Sequence, residues 1–429
     1  MNTTLNYSKN QLINTRLATK LSNKNEKIGL FLVFMLLAVS GIEYFYRSQY
    51  YIIVAFIISG FFFIKANLKF ESSLTLIIAI FLIVESFQYA TFGGFNLWTF
   101  SGSYIRLLLA YFVVQITGKN FPKLYVKVLY FFSIVSLLFY SVSFLPGMSV
   151  FYKNILGNLV PPIFKAEGDF YLPIPNIVIF NFEDSLFIDS RNPGPFWEPG
   201  AFAVFLIIAL LFNQIEEKKL LKKKNIVFTI CLITTFSTAG YLAFFIFLIF
   251  LNYDLIKRNV LYSFLLFGLI TSTLFLYEHI PFLKEKIENN IDIADESTSS
   301  RFGSAQADLV YFSKSPFFGM GRAGAKNNFK DDFTHDDHRN NGIFVLLANY
   351  GLPFTLFYIF FIYFTFLKIG KLCGFSSAYS IFSILIILIL AFSQALFLKP
   401  IFNAFLFLPE VFNRYLNAKA NMPIKINGN

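Results

Sequence analysis

The stretch His335-Asp336-Asp337-His338-Arg339-Asn340-Asn341 gathers two imidazoles, two carboxylates and a guanidinium within seven residues. An imidazole with an ordinary pKa near 6.5 is largely neutral at physiological pH, so His338 or His335 could take a proton from a reacting group. The same side chains are ordinary metal ligands, but no third ligand motif accompanies them, and a solvated acidic turn is the plainer alternative. A second concentration of chemistry is Arg191-Asn-Pro-Gly-Pro-Phe-Trp197-Glu198-Pro-Gly200, where prolines and glycines stiffen a turn directly before an apolar run. Here Arg191 could hold an anionic group while Glu198 contacts a hydroxyl-rich ligand; a plain Arg191–Glu198 salt bridge is the structural alternative. Arg106 and Glu85 lie near the ends of neighbouring apolar runs and are expected to pair with each other, although charges inside apolar spans are functional candidates.

These residues must be positioned by a very apolar chain. Of the 429 residues 56% are hydrophobic, above the roughly 45–50% of soluble domains, which excludes an ordinary soluble globule. The excess collects in runs near the length of about 20 residues that a helix needs to cross a bilayer. Spans are expected near 28–46, 49–68, 74–91, 104–118, 123–145, 199–214, 225–238, 240–256, 260–277, 341–366 and 378–397, with a short twelfth over 400–412. The predicted fold class is an all-α polytopic transmembrane bundle of 11 to 12 spans. The basic segment 1–27 precedes the first run with no small-residue cleavage site after it, so that run reads as a retained helix. Cys231 and Cys373 do not form a disulfide framework or a redox pair.

Charge orients the bundle. Alternate loops carry Lys65 and Lys69, Lys119 to Lys127, Lys218 to Lys224, Lys257 and Arg258, and Lys368 and Lys371, which the positive-inside rule assigns to the cytoplasm together with the N-terminus. The two long loops are acidic instead, with three basic against six acidic residues in 146–198 and eight against eleven in 278–340. The expected organisation is therefore a tail (1–27), spans (28–145), a first periplasmic loop (146–198), spans (199–277), a second periplasmic loop (278–340), C-terminal spans (341–412) and a basic tail (413–429). The net charge of +11 sits beside membranes, so lipid headgroups are the expected partner and nucleic acid is not. No Gly-rich phosphate loop supports ATP-driven work, and the cytoplasmic loops are too short for a catalytic domain.

The order Ser299-Ser-Arg301-Phe-Gly, then Ser315-Pro-Phe-Phe-Gly319-Met-Gly321, then the His/Asn cluster before Tyr350-Gly351-Leu352 resembles the O-antigen polymerase and O-antigen ligase superfamily. Phe196-Trp-Glu-Pro-Gly-Ala-Phe and Phe236-Ser-Thr-Ala-Gly-Tyr are similar to the corresponding polymerase stretches. Ser237-Thr238 stands where the ligase-like pattern has Ser-Arg, which favours the polymerase, and the His-Asn register falls nearer Asn340 and Asn341 than in the usual pattern.

The resemblance implies metal-independent, cofactor-free transfer of a glycan between undecaprenyl-diphosphate carriers on the periplasmic face of the bacterial inner membrane. Arg191, Arg301, Arg339 and Arg106 are then candidates for binding the diphosphate or glycan, because guanidinium groups match phosphate oxygens in pairs. His338, with His335 and Glu198 as alternatives, is the candidate base for the acceptor hydroxyl. Partners implied are the lipid-linked donor and acceptor and a chain-length regulator. The rivals are an O-antigen ligase, and a polysaccharide flippase, which should show charged or broken helices at mid-membrane instead.

Overall fold

The computed structural model describes residues 25–46, 48–93, 96–161, 163–167, 170–182, 191–258, 301–322 and 341–420. Its helices are α1 (25–41), α2 (Glu43–Tyr46), α3 (Gln49–Lys65), α4 (Ser72–Phe92), α5 (Leu97–Thr117), α6 (Phe121–Ser143) and α7 (Met148–Asn154). These are followed by α8 (Pro199–Asn213), α9 (Lys223–Thr234), α10 (Thr238–Leu251), α11 (Tyr253–Arg258), α12 (Arg301–Lys314), α13 (Gly342–Cys373), α14 (Ala378–Ser393) and α15 (Pro400–Ala420). The chain is mostly helical. Among the described residues, the departure from all-α is two small antiparallel hairpins, β1 (Ile163–Glu167) with β2 (Phe170–Ile174) and β3 (Asn176–Ile177) with β4 (Phe180–Asn181).

Among the described residues, three helical stretches are long and apolar enough to cross a membrane: α4, α13, and α5 with α6 run together across the Gly118 turn. α3, α8, α10 and α14 are shorter apolar helices, and the expected span 260–277 lies outside the described residues. α8 forms the centre, with every residue from Ala201 to Asn213 buried, as befits a helix apolar on all sides. α6, α9 and α10 pack on it, while α13 packs on α12, α14 and α15, and α15 on α5. Side chains such as Ile57, Phe61, Ile83 and Leu138 remain exposed on the flanks, where a lipid solvent would cover them.

Local chemistry sets the boundaries. Asn96 caps α5 by accepting from the N–H groups of Trp98 and Thr99, Ser237 caps α10 through Gly240, and Asn341 caps α13 through Phe344 at 3.3 Å. Asn341, one of the two asparagines near which the His-Asn register falls, is thus the cap of the long helix. α15 runs eight residues beyond the expected end at 412. It continues because its far turns are amphipathic: Arg414 pairs with Glu71 at 2.6 Å, and the Tyr415 ring lies under the Lys119 ammonium at 3.9 Å.

α13 is two helices joined at a break. Gly351 has φ 78° and ψ 174°, and Pro353 lacks the N–H that would answer the Asn349 carbonyl. The Pro316–Gly321 stretch fills the break by exchanging backbone bonds: Met320 N–H donates to Ala348 O (2.8 Å), Gly321 N–H to Asn349 O (3.1 Å), and Leu352 N–H to Pro316 O (2.8 Å). Gln88 of α4 adds its side-chain amide to the Phe318 and Asn349 carbonyls. A Cβ on Gly319 or Gly351 would stand under 3.0 Å from backbone of the opposite segment, so the Pro-x-x-Gly-x-Gly spacing and Tyr350-Gly351-Leu352 are two halves of one joint.

Candidate functional site

The joint delivers Arg322, the residue after Gly321, to the α4–α5 pair. Its Nη1 donates to Ser103 Oγ at 2.9 Å. Gly102 leaves room for Arg106 Nη1, which stands 3.1 Å from where a Gly102 Cβ would be, so the two guanidinium groups converge on one turn of α5 and repel each other. Among the described residues no carboxylate lies within ion-pair distance of either. Glu85 accepts from Tyr104 at 3.0 Å and Tyr350 at 3.4 Å, so the expected Glu85–Arg106 pair does not form. The two phenols reach Glu85 from α5 and from the turn before the Gly351 break, leaving Arg106 for other partners.

Beside this group, Lys399 lies against two aromatic rings, its Nζ 3.7 Å from the Tyr46 centroid and 4.0 Å from that of Trp197. The rings themselves pack at 5.2 Å. Trp197 is held by the Pro-Gly-rich turn, which docks where α1 ends: Glu43 N–H donates to Pro195 O at 2.9 Å, and the Phe196 and Phe205 rings fill the space that a Cβ on Gly41 would take.

Glu198, next in the chain, faces the other way. Its Oε1 accepts from Gln394 Nε2 and stands 3.9 Å from Arg301 Nη2. Arg301 is the first residue of α12 and four-fifths enclosed; its Nη1 is buried with no hydrogen-bond partner among the described residues. Burial draws the Arg301 guanidinium below its ordinary pKa, and the Glu198 carboxylate opposes that. Gly342 presses on the Gln394 and Ala391 carbonyls, so the start of α13 closes the same corner.

Arg191 does not form the alternative salt bridge with Glu198. Its Nε donates to Thr235 O at 3.1 Å and its Nη2 to Phe236 O at 3.4 Å, in the bend between α9 and α10. Asn192 reinforces this by donating to Thr234 Oγ1 at 2.9 Å and accepting from Gly194 N–H. The carboxylate that could have paired with Arg191 is engaged by Arg301 from 103 positions further along, a partner that local sequence could not name.

The structure therefore brings together Glu198 with Arg301, and Arg106 with Arg322 on one turn of α5. His335, His338 and Arg339 lie outside the described residues. Among the described residues no group of three or more His, Cys, Asp or Glu side chains could hold a metal ion. Sequence reasoning passed over Arg322, Gln394 and Lys399. The signals were present, in a cation directly behind two glycines and in polar side chains next to apolar spans.

A mostly helical bundle with apolar flanks and a polar site built of arginines, a lysine and carboxylates at helix ends defines a helical membrane protein. The family model described as O-antigen ligase matches residues 225–359, which supports placing the chain in the O-antigen ligase and polymerase superfamily. That match spans Arg301, the Pro-x-x-Gly-x-Gly stretch and the Gly351 break. No curated protein and no solved structure matches the chain.

Proposed function

We propose that this protein is a membrane glycosyltransferase that polymerises undecaprenyl-diphosphate-linked oligosaccharide repeat units, on the periplasmic side of the inner membrane, into O-antigen or a related surface polysaccharide. The observation that carries the reading is the Arg301–Glu198 pair, in which Arg301 Nη1 is buried with no hydrogen-bond partner among the described residues. A guanidinium so held is suited to a diphosphate leaving group, whose charge grows as the sugar departs.

In the reaction, the acceptor hydroxyl oxygen bonds to the anomeric carbon of the donor while the bond from that carbon to the diphosphate breaks. The hydroxyl proton passes to a base and the electron pair leaves with undecaprenyl diphosphate. His338 is the proposed base. Glu198 is the alternative base and otherwise orients the acceptor. A polymerase must hold two lipid diphosphates, donor and acceptor, and two cationic groups are available for them: Arg301, and Arg106 with Arg322 and Lys399. Arg191 and Arg339 are proposed to contact the glycan or the diphosphate.

The ligase reading is kept alive by the description of the matching family model. Against it stands Ser237-Thr238, where Ser237 serves as the α10 cap and no arginine follows. The lipopolysaccharide of a deletion strain decides between them. Loss of the ladder with a single repeat unit retained on the core is expected; loss of all capped core makes the protein a ligase, and an unchanged ladder overturns both.

A further inference from the structure

At the end of the bundle opposite Glu198 and Arg301, a cavity of about 500 Å³ opens between the ends of α5, α6, α8, α13 and α15. Its rim carries Lys119, Lys123 and Lys218 against one carboxylate, Glu216. Glu216 is already shared by Lys123 at 3.4 Å and Lys224 at 3.0 Å. Lys119 and Lys218 have no carboxylate within ion-pair distance among the described residues. Lys119 rests on the Tyr415 ring, and Lys218 donates to the Cys373 carbonyl at 3.1 Å while lying 4.8 Å over Phe375. These contacts hold the two ammonium groups at the mouth without neutralising them. The wall beneath is apolar, formed by Val126, Phe212, Ile369 and Phe412.

We propose that this cavity binds the headgroup of an anionic phospholipid, with the phosphate between Lys119 and Lys218 and the upper acyl chain on the apolar wall. The two-part lining selects the ligand. A phosphodiester gains from ammonium groups near a membrane surface, while a fully hydrated free phosphate gains nothing from the apolar wall. The site lies apart from the proposed transfer chemistry.

Cys373 lines the cavity, whereas the other cysteine, Cys231, is fully buried in the core. The test is the rate at which a small neutral maleimide alkylates Cys373 in the full-length protein in nanodiscs, with Cys373→Ser identifying the signal. Phosphatidylglycerol mixed with phosphatidylcholine is expected to slow alkylation relative to phosphatidylcholine alone, by about tenfold where the effective lipid concentration is ten times its Kd. Lys119→Gln with Lys218→Gln should abolish that difference, and the paired arginine substitutions should keep it. Glu216→Gln, which removes the carboxylate from the rim, should deepen the protection, and this arm stands if the glutamine pair fails to fold. Equal rates in the two lipid compositions overturn the proposal. Protection by inorganic phosphate in phosphatidylcholine nanodiscs, equal to that by phosphatidylglycerol, replaces the lipid by a soluble anion and likewise overturns it.

Discussion

Gly319→Ala tests whether the joint at the α13 break holds the site together. The residue has φ +67°, and an added Cβ would stand under 3.0 Å from the Asn349 and Tyr350 backbone. The left-handed backbone alone costs alanine about 1–2 kcal/mol. The clash is with main chain, so relief requires the two segments to separate, which gives up the bonds of Met320, Gly321 and Leu352. At about 1 kcal/mol net for each hydrogen bond, this adds roughly 3 kcal/mol, and stranded carbonyls in an apolar surround raise it further. Gly374 supplies the control, because it also has φ +67° but a Cβ there would meet nothing within 4 Å. Gly374→Ala should therefore cost only the backbone term. The assay is the fraction of detergent-solubilised protein that stays monodisperse after stepwise heating, with polymer formation measured in parallel. Gly319→Ala is expected to lose its folded fraction at clearly lower temperature than Gly374→Ala, and to lose turnover as Arg322 is drawn from Ser103. Equal stability and activity of the two variants would refute the argument that the joint bears on the site.

Arg301→Ala should abolish polymer formation at normal protein level, by about 10²–10³-fold if the guanidinium stabilises developing charge, with Arg301→Lys recovering part; full activity of the alanine variant with purified lipid-linked repeat units removes Arg301 from the mechanism. With His338 as base, the rate should rise with pH through roughly 6–7, and His338→Ala should flatten the profile and cost about 10²–10⁴-fold. Glu198→Gln should leave that profile in place; the reverse pattern exchanges the two roles, and His335→Ala measured alongside reports which imidazole acts. Turnover should survive EDTA, and loss that zinc or manganese restores would establish a metal site at 335–338. Glu26 lies below the ordinary carboxylate value chiefly through its hydrogen bond to Lys127; Glu216 does so despite the opposing effect of partial burial, through Lys224 and Lys123. Both are therefore ionised in the folded protein, and their contribution is full above about pH 4.3 and lost as pH falls through the lower folded values. Being partly exposed they are worth at most ~1 kcal/mol in total, so melting temperature should fall modestly below pH 4.5, and Lys127→Ala should reduce the fall; an unchanged melting temperature down to pH 3 contradicts it.

Most of the helices were legible in the chain before any contact was known, because the length of an apolar run is a local property and a helix satisfies its own backbone bonds. The expected spans at 49–68, 74–91, 199–214 and 378–397 correspond to α3, α4, α8 and α14 within a few residues. The helix α12 and the hairpins in 163–181 escaped notice, since short polar or mixed segments carry no strong period. Which charge meets which was settled by packing alone. Glu85 turned from Arg106 to two tyrosines, Arg191 from Glu198 to backbone carbonyls of the α9–α10 bend, and Glu198 to Arg301 and Gln394. The same holds for the glycines of Pro-x-x-Gly-x-Gly, visible as a motif but explained only by the broken helix they enter. Covalent neighbours set the helices one at a time, whereas a charge or an unanswered carbonyl in an apolar bundle takes whichever partner packing brings within about 3 Å, at any distance along the chain.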